Sequence, residues 1–154
     1  MKKVVKFKKL VEDAIIPDYA HEGDAGMDLY SIKEDVIEPF SWKLIPTGLA
    51  VELPEGTELQ VRSKSGIAFK NGVFVLNSPG TVDENYRGEV GVILYNLNAK
   101  EPFVIKKGQK VAQAVIANVE YVETVEVEEI VSTTSRGEGG FGSSGLGKNN
   151  PNEK

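Results

Sequence analysis

The chain has 154 residues, a formal net charge of −5, no cysteine and one histidine, His21. That length fits one domain with an ordinary core, and the lack of thiols excludes disulfides, thiolate metal sites and cysteine nucleophiles, as suits a reducing compartment. A single histidine excludes a His-rich metal site and leaves acid–base chemistry to carboxylates, while the acidic balance argues against a nucleic-acid-coating surface.

The basic opening "MKKVVKFKK" contains only a two-residue apolar run, too short for a secretory leader. No window approaches the ~20 apolar residues that a membrane span requires. The expectation is a soluble, cytoplasmic protein that neither enters a membrane nor binds nucleic acid directly.

Short β-type runs separated by Gly, Pro, Asn and Asp follow in order. Strands are predicted over "VVKFKKL" (4–10), "DLYSI" (28–32), "WKLIPTGLAVELP" (42–54) and "TELQVRS" (57–63). They continue over "GVFVLNS" (72–78), "EVGVILYNL" (89–97), "PFVIKKG" (102–108), "KVAQAVIANV" (110–119) and "TVEVEEI" (124–130). One or two helical turns are expected around Ser65 to Lys70. Pro46, Pro54, Pro79 and Pro102 fall at strand edges or turns, where a missing N–H does least harm. Evenly spaced strands with turn signals between them predict an all-β barrel or sandwich. There is no internal repeat and no interdomain linker. The predicted division is a β domain over 1–135 and a flexible tail over 136–154, whose segment "RGEGGFGSSGLG" (136–147) is half glycine.

Four further stretches carry chemistry-bearing residues. In "GDAGMDLYS", Asp28 opens a strand between Met27 and Leu29 and serves either as a turn cap or as a functional carboxylate. "RSKSGIA" compresses Arg62, Lys64, two serines and Gly66 ahead of a helical turn, which makes either an anion site or an exposed polar loop. "NSPGTVDENYRGEVGV" offers Asn77, with the donor and acceptor a pyrimidine edge requires, together with Asp83 and Tyr86. Asp83, between Val82 and Glu84, is expected to be half-buried with a water as partner; the plainer reading is a long hairpin whose polar groups satisfy the turn. In "KGQKVAQAVI", Gln113 interrupts an apolar run and needs a hydrogen-bonding partner. His21 reads as a surface histidine, and Trp42 as core or subunit contact.

In this order and spacing, "AGMDLYS", "KSGIA", "GTVDENYRGEVGV", "KVAQAVI" and "RGEGGFGSSG" resemble the five motifs of the trimeric dUTPase family, over residues 4 to about 147. The resemblance implies a jelly-roll-like β fold and a homotrimer with active sites at subunit junctions. It also implies cleavage of dUTP between the α and β phosphates, giving dUMP and pyrophosphate, with Mg²⁺ bound mainly through the triphosphate and water. Asp83 matches the carboxylate that orients and deprotonates the attacking water, a role that suits a carboxylate. Gln113 matches a contact to that water and the α-phosphate, and Asp28 a carboxylate supporting the metal's water shell. Lys64, Ser65 and Gly66 match phosphate contacts.

Asn77 and the 80–91 hairpin, with Gly80, Thr81, Val82 and Gly91, match the uracil reader, and Tyr86 the ring that stacks on deoxyribose. Arg136 is expected at the γ-phosphate and Phe141 on the uracil, with Gly142, Ser143 and Ser144 around the terminal phosphate. Two positions depart from the family's usual pattern. Lys64 stands where Arg is usual and lacks its bidentate fork, which leaves open whether Lys64 or Arg62 meets the phosphates; "GSSG" replaces Gly-Ser-Thr-Gly. The rival readings are a dCTP deaminase, whose phosphate motif carries two serines where this chain has Ser-Gly, and a non-catalytic trimeric module, which would not require Asp83 or the tail.

Overall fold

In the computed structural model, which describes residues 3–131, 134–141 and 143, the chain divides into two units, 1–120 and 121–154. All the regular structure among the described residues lies in the first. Its elements are β1 (Lys6–Lys9), β2 (Met27–Tyr30), β3 (Asp35–Ile37), β4 (Trp42–Glu52), β5 (Thr57–Ser63) and α1 (Ser65–Asn71). These are followed by β6 (Val73–Val75), β7 (Gly80–Val82), β8 (Glu89–Asn96), β9 (Phe103–Ile105) and β10 (Lys110–Asn118). Two antiparallel four-stranded sheets, ordered β1-β4-β8-β6 and β2-β10-β5-β7, and a two-stranded sheet β3-β9 make an all-β, jelly-roll fold.

Alternation of apolar and polar residues decides which faces meet. Along β8, Val90, Val92, Leu94 and Asn96 are buried, while the residues between them are partly exposed. Along β5, Thr57, Leu59 and Val61 point inward. Ile45, Val92 and Leu94 from one sheet join Leu29, Leu59 and Ala112 from the other in a single core. Burying each Leu, Ile or Val side chain contributes roughly 1.5–3 kcal/mol, so this core dominates the stability.

The ladder between β4 and β8 shifts between Pro46 and Ala50. Side chains take over the ladder bonds there: the Thr47 hydroxyl donates to the Val90 carbonyl (2.6 Å) and the Gly48 N–H to the Glu89 carboxylate (2.7 Å). Gly48 has φ 68°, and a Cβ there would stand 2.7 Å from Val11 Cγ2, so both backbone and packing require glycine.

Three expectations are corrected and one is narrowed. The 80–91 stretch is not a hairpin: β7 pairs with β5, whereas β8 pairs with β4 and β6. Asp83 is exposed rather than half-buried, because it follows the last residue of β7 and leaves the sheet. Of the two readings of Trp42, core or subunit contact, the structure excludes core: Trp42 is 61% exposed on β4 and stacks with Tyr95, centroids 6.4 Å apart. Residues 124–130 form no strand; their alternation is real, but a strand exists only where another takes its hydrogen bonds. The three-residue β3, absent from the sequence reading, is held by β9 and by charge.

Asp35 supplies that charge, accepting hydrogen bonds from Lys43 Nζ at 2.5 Å and facing Lys33 Nζ at 3.1 Å. The Lys43 hydrogen bond, the Val36 N–H and Lys33 hold its carboxyl down to about 2, from 3.8. A depressed carboxyl stabilises the fold above its unfolded pKa and loses that contribution as pH falls toward the folded value. Asp35→Asn should therefore cost roughly 1 kcal/mol at neutral pH, given solvent screening. In acid unfolding followed by circular dichroism, the gap from wild type should close as pH falls from 3.8 toward 2.

Candidate functional site

The first group of predicted residues surrounds a cleft of about 360 Å³ lined from both large sheets. Leu44 and Pro46 of β4 with Gly91 and Ile93 of β8 form one wall; Val61 of β5 and Gly80, Thr81 and Val82 of β7 form the other. Asn77, Tyr86 and Glu89 complete the lining. Beside this cleft the chain leaves one sheet at Val82 and enters the other at Glu89.

Glycines set the dimensions of this cleft. A Cβ on Gly91 would lie 2.6 Å from Leu44 Cδ1, and one on Gly80 would press on Val61 Cβ (3.2 Å) and Asn77 Nδ2 (3.3 Å). A Cβ on Gly88 would fall 2.3 Å from the Tyr86 hydroxyl oxygen, so the ring lies against bare backbone. Tyr86 is held at both ends, its N–H donating to the Asp83 carbonyl (3.1 Å) and its hydroxyl to the Glu89 carbonyl (3.0 Å). Neighbouring bonds brace the crossing: Glu84 accepts from the Gly56 N–H (2.7 Å), and Arg87 donates to the carbonyls of Glu84 (2.7 Å) and Tyr86 (2.9 Å). Asp83 projects from this braced turn into solvent.

The second group lies along β2 and β10, in the sheet that also supplies the β5–β7 wall of the cleft. Asp28 sits in β2, 4% exposed, with an ammonium on each oxygen: Lys64 Nζ at 2.8 Å on Oδ1 and Lys110 Nζ at 2.6 Å on Oδ2. Burial by itself would raise the Asp28 pKa; hydrogen bonds and charge from Lys110 and Lys64 outweigh it, and the net shift is downward. The Asp28 hydrogen bond and charge push Lys110 upward in return. Register places Gln113 of β10 beside Asp28 on one flank and Arg62 of β5 on the other. Gln113 is half-buried and packs closely on Gly26, whose missing Cβ would stand 3.3 Å from Gln113 Cβ. Arg62 turns along its own strand, donating from Nε (3.0 Å) and from a terminal nitrogen (2.5 Å) to Gln60. Of the two cations in the 62–64 stretch, therefore, Lys64 and not Arg62 stands beside Asp28. Ser65 and Gly66 follow it as exposed residues of the first turn of α1.

In the second unit, Arg136 Nε donates to the Gly139 carbonyl (2.7 Å) and the Ser143 N–H to that of Gly140 (3.0 Å). Phe141 is fully exposed at φ 44°. Gly142 and Ser144 lie outside the described residues. The sequence reading missed Lys110 and the apolar walls Leu44, Pro46, Val61 and Ile93. An acidic residue between Met27 and Leu29 signals a buried charge that needs a cation, but only strand register shows which lysines reach it.

No group of three or more His, Asp or Glu among the described residues is placed to hold a metal ion. Both oxygens of Asp28 already face ammonium groups. This donor set fits Mg²⁺ carried on phosphates and water, which is how that ion commonly binds.

Comparison with known proteins joins these features. The dUTPase family model matches residues 12–145. A deoxyuridine 5'-triphosphate nucleotidohydrolase of Alkaliphilus metalliredigens is 56% identical over 92% of this chain and 97% of its own length. Among solved structures, the Staphylococcus bacteriophage 80alpha dUTPase with dUPNHPP is 30% identical, covering 94% of this chain and all of that one, with a TM-score of 0.83. The dUTPase from phage phi11 of S. aureus, described with a coordinated structural Mg(II) ion, is 27% identical over 84% of this chain and 99% of that one, with a TM-score of 0.77. A family model spanning nearly the whole chain, relatives matched over nearly their full length and a shared fold carry one conclusion: the chain belongs to the dUTPase family.

Proposed function

We propose that this protein hydrolyses dUTP to dUMP and pyrophosphate with Mg²⁺, as a homotrimer whose sites form where subunits meet. The observation that carries the reading is the cleft itself. Its lining holds a carboxamide, glycines that leave room in the walls and an aromatic ring pinned by hydrogen bonds at both ends. The Asn77 amide and the backbone of β7 are suited to the donor and acceptor edge of uracil. Cytosine would present the exchanged pattern and leave buried groups unpaired, a mismatch worth about 10⁴–10⁵ in specificity. Tyr86 lies along the deoxyribose and leaves no room for a 2′-hydroxyl, and the tight walls exclude a thymine methyl.

At the reacting end, Asp83 takes a proton from a water as its oxygen bonds to the α-phosphorus and the bond to the bridging oxygen of pyrophosphate breaks. An exposed carboxylate on a braced turn suits this role: water reaches it, and the turn defines where it stands. Gln113 holds the water and an α-phosphate oxygen by its amide. Lys64, the Ser65 hydroxyl and the Gly66 N–H take phosphate oxygens. Mg²⁺, when bound, would offset triphosphate charge, and Asp28 would support its water shell.

Arg136 meets the γ-phosphate, Phe141 stacks on the uracil, and Gly142, Ser143 and Ser144 cradle the terminal phosphate as residues 136–147 close. Such closure would expel water and hold the triphosphate in line for attack. That Asp28, Lys64 and Gln113 do not line the cleft supports a site completed by a second copy. In a cytoplasmic setting the reaction would limit uracil entry into DNA and supply dUMP for thymidylate synthesis.

Pyrophosphate release from dUTP with Mg²⁺ tests this directly. Asp83→Asn should lower kcat by about 10²–10⁴ with little change in KM; a variant as active as wild type would remove Asp83 from the proton-transfer role. Deleting residues 136–154 should leave the trimer intact in sedimentation equilibrium yet remove most turnover, and full activity there would deny the tail its part.

A further inference from the structure

The Asp28 group carries one more positive charge than its buried carboxylate requires. Its two lysines are not equivalent. Lys64 stands at the N-cap of α1 with no side-chain capping bond, directly before Ser65 and Gly66. Lys110 opens β10 opposite Tyr30, and its ammonium sits 5.9 Å from the centre of that ring while bonding Asp28 Oδ2. Strand register and a cation–π contact hold Lys110 where it is; neither holds Lys64.

We propose that Lys110 is a positioning residue: it keeps Asp28 neutralised, so that the Lys64 ammonium is free to pass from the carboxylate to a phosphate of the substrate. The inference rests on the dUTP-hydrolysing reading above. A buried carboxylate that loses its last cation is strongly disfavoured. With Lys110 in place, Lys64 moves to an arriving triphosphate and Asp28 still faces an ammonium. Without Lys110, binding the triphosphate through Lys64 would strand the Asp28 charge, and dUTP binding would weaken. The exchange involves no bond making or breaking, so the loss falls on ground state and transition state alike and appears in KM rather than kcat. The arrangement also accounts for a lysine at position 64: a single ammonium on a flexible stem exchanges one oxygen partner for another readily.

Steady-state pyrophosphate release from dUTP with Mg²⁺ is the test, applied to wild type, Lys110→Met, Lys110→Arg, Asp28→Asn and the Asp28→Asn/Lys110→Met double variant. Lys110→Met should raise KM about tenfold with kcat within about twofold, and Lys110→Arg should restore wild-type KM. Once Asp28 is neutral there is no charge for Lys110 to hold, so adding Lys110→Met to Asp28→Asn should leave KM unchanged. If Lys110→Met does not fold, the Asp28→Asn pair decides the question. A wild-type KM in Lys110→Met, Lys110→Arg as impaired as Lys110→Met, or a further KM loss in the Asp28→Asn background each overturns the inference while wild-type turnover leaves the functional reading intact. A wild-type chain that releases no pyrophosphate from dUTP overturns both.

Discussion

Between Val82 and Glu89 the backbone must leave a strand paired to β5 and enter one paired to β4 and β6. The chain keeps neither ladder through this crossing, and the cleft lies beside it, with Leu44, Gly91 and Ile93 on the face of β4 and β8 turned away from the core. The crossing has too little core around it to be held by burial, and hydrogen bonds take over: Glu84 to the Gly56 N–H, Arg87 to two carbonyls, and Tyr86 at both ends. The interrupted ladder at Thr47 and Gly48 adjoins the same place, so the cleft wall at Pro46 and Gly91 is set by side-chain bonds as much as by sheet pairing. Asp83 inherits its position from this frame.

Charge is used in two different ways in the fold. Asp35, at the edge of a small sheet, binds Lys33 and Lys43 and ties β3 to β4; its partners serve cohesion. Asp28 is more deeply buried and also has two lysines, but one of them adjoins the residues suited to phosphate and the other is seated against an aromatic ring. Desolvation makes an unpartnered Asp28 costly, and the same cost would make removal of the second cation noticeable when an anion competes for the first. Similar pairings thus have different consequences because burial differs.

Strand positions were legible wherever alternation was regular and a partner lay within the same unit, as in β5 and β8. Where the pattern had no partner, as in 124–130, alternation misled; where a strand was only three residues long, as in β3, there was too little pattern to read. Of the candidate site, Asn77, Gly80–Val82, Tyr86 and Gly91 were legible as a motif, but the reading joined β7 to β8 as a hairpin. The apolar walls Leu44, Pro46, Val61 and Ile93 come from strands far apart in sequence and carry no local mark of their role.

What the sequence by itself determined is the β class, through period-two patterning broken by Gly and Pro, and the family, through five motifs in order. It also determined which residue types are available for chemistry: carboxylates and amides, with no thiol and one histidine. Only the tertiary structure decided that Asp83 is exposed, that Lys64 and not Arg62 stands at Asp28, and that Lys110 is the second cation there. Each depends on register between strands distant in the chain, and a shift of one residue reverses every side chain's face. Local sequence sets the period of a strand; which residue stands opposite which is settled only when the whole core is buried at once.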